Sequence, residues 1–213
     1  MSNLNTYRTV LKIGLLVLLA FGINDNKACG QIEARKLGDK YAFFKNGVQK
    51  TDYTYTEVSA FSENLAWANM GELYAYIDTN FEAVTDWIYT TVTKFENGFA
   101  AVSQDSMLGF IDKTGREICP LTYTRVQSFQ HGFAAVLTDS LWNIIDTSGN
   151  EIWKMGYDFA PIIVSNNFFI VCKNQKWGVI NQAGNAVYPF DFEFITKDGL
   201  AFRRGEQIYL GLK

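Results

Sequence analysis

The residues that could perform acid–base or nucleophilic chemistry are few in this chain. His131 is the only histidine, so a serine–histidine–aspartate triad or a histidine metal site would depend on that residue alone. His131 occupies a repeat position that Glu63 and Asn97 fill elsewhere, which indicates a turn. Neither a nucleophile elbow nor a phosphate-binding glycine loop is present in the sequence. We therefore expect no catalytic residue and no enzymatic activity.

The acidic side chains also lack a spacing that would favour metal binding or glycoside cleavage. Glycoside hydrolysis needs two acids about 5–10 Å apart in a cleft. The available acids fall at predicted turns, namely Asp105, Glu117, Asp139 and Glu151. Calcium requires several oxygen ligands around one centre, whereas the acid that precedes a glycine occurs once in each repeat. We therefore predict no metal and no cofactor.

An Asp-x-x-Gly pattern recurs, and it is typical of a tight turn. The pairs are Asp112 with Gly115, Asp146 with Gly149, and Asn181 with Gly184. The Asp or Asn oxygen can accept a backbone N–H bond two residues later, and glycine can take a positive φ. An earlier copy has Asp78 followed by Asn80 and Phe81. Because Asn tolerates the left-handed conformation, we expect a shifted register in that turn.

Large side chains recur in two columns of the same pattern. The first column is followed by small residues and contains Tyr41, Tyr74, Leu108, Trp142 and Trp177, with Gly178 after the last. Because Leu108 packs well but would stack poorly on a sugar, we interpret this column as core. The second column also indicates packing and contains Tyr55, Tyr89, Tyr123, Tyr157 and Phe192. Trp153 and Tyr188 are the aromatic residues that we expect to be exposed for ligand contact.

These residues belong to a unit of about 34 residues that occurs five times. Residues 108–115 return at 142–149 and again at 177–184. Each unit is expected to form three short strands, because apolar alternation and β-branched or aromatic residues are separated by turn residues. In the central copy the strands span 133–137 and 141–146, and a third strand begins at Asn150. No helical stripe is present after the N-terminal segment.

The units resemble those of the bacterial WG-repeat family, also called KWG. The resemblance is carried by Lys-Trp-Gly-Val-Ile-Asn-Gln-Ala-Gly at 176–184 and by residues 108–120. It extends from about residue 38 to residue 213, although an intact Trp-Gly pair occurs only at Trp177 and Gly178. The resemblance implies a β-rich repeat array on exported or surface proteins. It implies no particular activity.

The expected fold is an all-β array of five three-stranded repeats, stacked as a solenoid or ribbon. A closed, propeller-like ring with five blades is the alternative. Four-stranded propeller blades usually need about 40–45 residues, which is longer than the unit of this chain.

Residues 1–29 differ from the repeats and indicate a secretory signal peptide. Arg8 and Lys12 precede an apolar run at 13–23 that is shorter than the roughly 20 residues of a spanning helix. An uncleaved anchor or an N-terminal core helix is the alternative, and Cys29 could carry a lipid. We expect a repeat domain over 30–213 with no spanning helix in the mature chain. Its expected location is the periplasm, the cell surface or the medium.

Composition and cysteine spacing limit the partners further. The net charge of −3 disfavours nucleic acid, because phosphate neutralisation requires basic clusters. Cys119 and Cys172 lie out of phase in different repeats, so we expect buried free thiols, although a disulfide is chemically allowed in an oxidising compartment. The expected function is an exported, non-enzymatic binding or scaffold protein for a macromolecular partner. A cell-envelope carbohydrate-binding module that uses Trp153 and Tyr188 is the alternative.

The signal prediction has a direct test. If residues 1–29 are removed on export, the mature chain will begin between Asn24 and Gln31. Mass spectrometry of the exported protein would locate that N-terminus. Recovery of intact Met1 in the membrane fraction would contradict the prediction.

Overall fold

The computed structural model describes residues 31–152 and 156–212, which form nineteen β-strands in six small antiparallel sheets. These described residues contain no helix, and hence none that is long and apolar enough to span a membrane. The all-β prediction is confirmed. The predicted signal peptide, Cys29 and Trp153 lie outside the described residues.

The first three sheets follow one another along the chain, and each contains three strands. Sheet 1 contains β1 (Ile32–Leu37), β2 (Lys40–Lys45) and β3 (Val48–Gln49). Sheet 2 contains β4 (Glu57–Val58), β5 (Leu65–Asn69) and β6 (Tyr74–Asp78). Sheet 3 contains β7 (Thr91–Val92), β8 (Phe99–Gln104) and β9 (Met107–Asp112).

The last three sheets repeat this order, and sheet 5 adds a fourth strand. Sheet 4 contains β10 (Arg125–Val126), β11 (Phe133–Thr138) and β12 (Leu141–Asp146). Sheet 5 contains β13 (Ile162–Ile163), β14 (Phe168–Lys173), β15 (Lys176–Asn181) and β16 (Ala186–Phe192). Sheet 6 contains β17 (Phe194–Ile195), β18 (Leu200–Arg203) and β19 (Glu206–Tyr209).

Two consecutive strands of each sheet form a hairpin, and outside sheet 2 its loop has only two residues. In sheet 3 the hairpin runs from the pair Phe99 and Asp112 to the pair Gln104 and Met107, with two residues between the strands. Those two residues, Asp105 and Ser106, have φ values of 49° and 68°. Two-residue loops of this kind match the right-handed twist of the strands they join. The hairpin is therefore specified locally, by turn residues between two apolar runs.

The predicted third strand forms in the fifth unit, as β16 paired with β15, but not in the second to fourth units. The strand expected from Asn150 is reduced to a single bridge between Glu151 and Ile145, and the short third strand of sheet 4 is instead β10. The segment that follows β12 pairs with two sheets in succession. Tyr157 exchanges backbone bonds of 2.8 and 2.9 Å with Trp142, and the next N–H, of Asp158, donates to the β14 carbonyl of Cys172 at 2.9 Å. Because it serves both sheets, this segment pairs with each only briefly.

This crossing from one sheet to the next recurs along the chain. At each crossing a residue of the second aromatic column, which we call the crossing residue, pairs with the sheet before it. The N–H of the following residue donates to the next sheet: Thr56 to Asn69, Thr90 to Ser103, Thr124 to Leu137, and Glu193 to Phe202. All five crossing residues are buried, as the sequence predicts. Burial raises the pKa of Tyr157 to about 12, in keeping with a phenol that is largely removed from water.

The apolar core lies between consecutive sheets. One cluster joins Ala101 and Phe110 of sheet 3 to Ala134 and Ile145 of sheet 4, with the crossing residue Tyr123 between them. The described residues form five such clusters, one at each junction of the six sheets. One more sheet than predicted is present, because each repeat unit contributes to two sheets. Each core is therefore shared, and no sheet buries its faces alone.

The loops that precede the first long strand in sheets 2, 3, 4 and 6 contact one another. Ser62 Oγ donates to the Phe95 carbonyl at 2.7 Å, and Asn97 Nδ2 donates to the Phe129 carbonyl at 2.7 Å. Lys197 Nζ of sheet 6 then donates to Gln130 Oε1 of sheet 4 at 3.2 Å, which bypasses sheet 5. The array therefore curves, with these loops on its inner side.

The Asp-x-x-Gly turns adopt the predicted geometry. Gly115, Gly149 and Gly184 have φ values of 82°, 79° and 80°. Asp146 Oδ1 accepts the N–H groups of Ser148 at 2.8 Å and Asn150 at 2.9 Å. Burial acts to raise the pKa of Asp146, but the hydrogen bonds from Asn150 and Ser148 outweigh it and leave that pKa below its ordinary value.

The shifted register predicted for the turn at Asp78 is wrong. Phe81 itself takes the left-handed position, with a φ of 69°, while Asp78 Oδ1 accepts the N–H groups of Asn80 and Glu82 as in the other turns. A non-glycine residue in this conformation costs about 1–2 kcal/mol. The Phe81 ring packs 5.7 Å from the ring of Phe43 and 6.4 Å from that of Phe61, which offsets this cost.

Gly149 is required for a second reason besides its φ. A Cβ on Gly149 would lie 1.9 Å from the carbonyl oxygen of Ile118, in the preceding repeat. Gly132 has a similar φ of 86°, but a Cβ there would have no neighbour within 4 Å.

We predict that Gly149→Ala destabilises the protein more than Gly132→Ala. Both substitutions carry the cost of a positive φ, about 1–2 kcal/mol. Only Gly149→Ala also forces the turn away from Ile118, which should add about 1–3 kcal/mol. Urea unfolding of the two variants measures the difference, and equal midpoints would contradict the turn-to-repeat contact.

We also predict that Asp146→Asn removes part of the acid sensitivity of folding. Because the folded pKa of Asp146 is lowered, its stabilisation is present above the unfolded value of about 3.9 and is lost as pH falls through the folded pKa. Asn can keep the turn, since Asn181 Oδ1 accepts the N–H groups of Ala183 and Asn185 in the same way. The free energy of unfolding, measured from about pH 5 to about pH 2, should fall more steeply in the wild type. Parallel curves would refute the assignment.

Candidate functional site

The histidine and acidic side chains considered for catalysis are all exposed. His131 is exposed and has a φ of 51°, as a turn residue in front of Gly132. The four acids considered for glycoside cleavage, Asp105, Glu117, Asp139 and Glu151, are also exposed. Within residues 31–152 and 156–212, no group of three His, Cys, Asp or Glu side chains could hold a metal ion.

The two cysteines of the described region are buried free thiols, as the sequence predicts. Burial raises the pKa of the Cys119 thiol and also that of the Cys172 thiol. A raised pKa disfavours the thiolate, which is the nucleophilic form. Both residues therefore serve as small core side chains.

The first aromatic column packs on the cores without being fully buried. Trp142 and Trp177 are half-buried and contact the clusters on either side of sheet 5. The glycine after Trp177 lets the returning segment lie close: a Cβ on Gly178 would be 3.0 Å from the Phe190 ring. Trp177 therefore has one face on the core and another toward the surface.

Of the two predicted ligand-contact residues, one can be placed. Tyr188 on β16 is half-buried, packs against the core between sheets 5 and 6, and donates its hydroxyl to the Leu210 carbonyl at 2.7 Å. Trp153 lies outside the described residues. The structure does not bring the pair together as one site, and ligand contact at each stays a prediction.

Three other aromatic rings form a surface cluster that we call the aromatic patch: Phe159, Trp177 and Phe194. The rings of Phe159 and Trp177 are stacked, with centroids 5.8 Å apart and planes 15° apart. Phe194 meets Trp177 edge-on, with centroids 5.7 Å apart and planes 79° apart. Phe159 is 54% exposed and Phe194 is 46% exposed. A contiguous group of exposed apolar rings can mark an interaction site.

The fold explains why these rings meet. Phe159 and Phe194 each lie two residues after a crossing residue, Tyr157 or Phe192, and Phe192 pairs with Trp177 on β15. Earlier crossings have Glu57, Thr91 and Arg125 at the same position. This position also lies next to a first-column residue in an earlier unit, since Tyr74 donates its hydroxyl to Glu57 Oε2 at 2.8 Å. Comparing this repeat position across the units would have revealed the patch from the sequence.

Charged groups surround the crossing segments near the patch. Arg203 Nη1 contacts Asp191 Oδ2 at 3.0 Å, and the Arg203 guanidinium lies over the ring of Phe192 at 5.3 Å. Asp158, next to Phe159, accepts the N–H of Gln175 at 2.8 Å. An apolar centre with a polar rim suits binding by burial and ring stacking.

Similarity to solved structures is limited. The structure of Kluyveromyces lactis Hsv2p aligns with a TM-score of 0.41 and 12% identity, covering 72% of this chain and 59% of that one. The N-terminal domain of Nup159 aligns with a TM-score of 0.39 and 12% identity, covering 81% of this chain and 61% of that one. The chain thus spans about three fifths of the structures it matches. No curated protein sequence matches it.

The sequence match to a repeat family covers most of the chain. The family described as "WG containing repeat" matches five consecutive segments, at residues 45–74, 74–107, 109–142, 144–177 and 177–202. These segments contain the crossings and, apart from Tyr41 and Leu108, the two aromatic columns described above. The chain therefore belongs to the WG-containing repeat family.

Proposed function

We propose that this chain is an exported, non-enzymatic binding protein that holds a protein partner on its β-repeat surface at the aromatic patch. The observation that carries the proposal is the exposure of Phe159 and Phe194 around the half-buried Trp177. Export is supported by the basic residues and short apolar run that precede the repeats. The binding role is supported by a repeat surface, which such arrays commonly use for recognition.

The patch is large enough to contribute to binding. A phenylalanine side chain buries roughly 150–250 Å² in a core or interface, so covering the exposed halves of both rings would remove roughly 200 Å² from water. At about 25 cal/mol per Å², this area is worth on the order of 5 kcal/mol before the costs of association. Trp177 is already held by the core and by both Phe rings, so little side-chain entropy remains to be lost.

The patch is also local, which favours a defined contact. The same repeat position carries Glu57, Thr91 and Arg125 at the earlier crossings, so apolar residues occupy it only at the crossings into sheets 5 and 6. Aromatic residues in the centre of a contact, surrounded by polar residues, are typical of binding hot spots.

We predict that Phe159→Ala/Phe194→Ala lowers affinity for the partner at least about tenfold. The partner would be captured from cell-envelope extract with the wild type, identified by mass spectrometry, and its affinity measured with purified components. Leu37→Ala/Val48→Ala is the matched control, since it trims two side chains that are 59% and 58% exposed in sheet 1. Unchanged affinity of the patch variant, or equal loss in the control, would refute the proposal.

A carbohydrate-binding module is the second candidate, favoured by the flat stack of Phe159 on Trp177. Exposed aromatic rings can lie against the apolar face of a sugar. A glycan array distinguishes the two functions, because glycan binding that is lost in Phe159→Ala would favour the module. Trp153→Ala and Tyr188→Ala, on the same array, test the two residues predicted from the sequence. No glycan binding by the wild type would exclude this candidate.

A further inference from the structure

The outer edge of β19 departs from the arrangement found in every earlier sheet. In sheets 1 to 5, the first-column residue pairs with an aromatic crossing residue, as in Tyr41 with Tyr55, Tyr74 with Tyr89, Leu108 with Tyr123, Trp142 with Tyr157, and Trp177 with Phe192. Gln207 holds the first-column position in sheet 6, since it faces Phe202 as Trp142 faces Leu137. Within residues 31–152 and 156–212, no segment is paired with Gln207 on that side.

The backbone of β19 directs two sets of hydrogen-bonding groups outward. The N–H of Leu210 donates to the carbonyl of Gly199 at 2.8 Å. Counting back from Leu210, the backbone N–H and C=O groups of every second residue therefore face β18. Gln207 and Tyr209 therefore turn their N–H and C=O groups away from β18, as Trp142 and Ile144 do in sheet 4. Gln207 is exposed, and Tyr209 is 65% exposed.

We propose that this edge binds an extended segment of a partner protein by antiparallel strand addition, with an aromatic residue opposite Gln207. The five internal junctions supply the chemistry, because each edge of this type is covered by an extended segment with Tyr or Phe at the paired position. Main-chain hydrogen bonds supply affinity in strand addition, and side chains at alternate positions supply specificity. An open strand edge is also a template that proteins otherwise cover.

This site is distinct from the aromatic patch and does not depend on it. The contact is made by the backbone of β19, whereas the patch is made by side chains of Phe159, Trp177 and Phe194. Failure of one proposal therefore leaves the other standing, and the two use different substitutions.

The chain itself provides a probe of the right form. A fluorescein-labelled peptide with the sequence of residues 83–95 contains Tyr89, which exchanges backbone bonds of 2.8 and 3.3 Å with Tyr74 in sheet 2. We expect this peptide to bind the purified full chain saturably, measured by fluorescence anisotropy. Absence of saturable binding would overturn the proposal.

Two peptides with one N-methyl group each test the geometry without altering the protein. Methylation at Tyr89 removes the N–H that faces the sheet edge, and should weaken binding at least about tenfold. Methylation at Thr90 removes an N–H that bonds to the following sheet in the intact array. At β19 this N–H would face away from the edge, so binding should be kept within about threefold. Equal affinity of the two methylated peptides would overturn the strand-addition geometry.

A pair of protein variants tests the site. Tyr209→Pro removes the outward N–H at a position where an edge strand accepts proline, and should weaken peptide binding at least about tenfold. Tyr209→Ala keeps that N–H and should bind within about threefold of the wild type. Urea unfolding of both variants checks that sheet 6 remains folded. Wild-type binding by a folded Tyr209→Pro variant would place the peptide elsewhere and overturn the proposal.

Discussion

The passage of one extended segment from sheet to sheet is the constraint on which the rest of the structure depends. At each passage an aromatic residue gives its backbone groups to one sheet, and the following N–H is bonded to the next. Two successive sheets are thereby held in register by adjacent peptide groups of the same segment. The aromatic side chain at the passage lies in the core between them. Hydrogen bonding and burial of apolar area thus act at the same point of the repeat.

The shared cores explain both the shortness of the unit and the recurrence of small residues. A lone three-stranded sheet with one two-residue strand buries too little apolar surface to be stable. Here each sheet is covered by its neighbours, so a unit of about 34 residues suffices. The segment that covers each sheet lies so near that a Cβ on Gly109 would be 2.5 Å from Leu121. Close approach, rather than flexibility, accounts for the glycines that follow Leu108 and Trp177.

Local features of the fold could be predicted from the sequence, and features that depend on a neighbouring sheet could not. The Asp146 turn and the Asn46 and Gly47 hairpin, with φ values of 54° and 75°, are determined by residues that lie next to one another in the chain. The divided third strand depends on where the next sheet lies. Each unit contributes to two sheets, so five units give six sheets rather than the five predicted.

The aromatic patch was missed for a related reason. Phe159 and Phe194 are ordinary apolar residues in their own local sequence, and only comparison with Glu57, Thr91 and Arg125 shows that they replace polar residues. Tyr188, which local alternation predicts to be exposed, has partners in the fold for both its hydroxyl and its ring. In this array the exposure of a side chain depends on its position in the repeat. Exposure is therefore better predicted by comparing the same position in different units than from alternation along one strand.

The fit between each turn and the unit before it bears on how such a chain can gain or lose units. Gly115 lies against the carbonyl of Val84, and Gly149 lies against that of Ile118, which holds the corresponding position one unit later. At this contact the central units are interchangeable, so a duplicated or deleted copy would meet the same surface. The Phe81 turn adds its own ring to the contact, on Phe43 and Phe61, which the glycine turns cannot do. Change in length by whole units is therefore compatible with the middle of the array, whereas the Phe81 turn depends on a ring contact of its own.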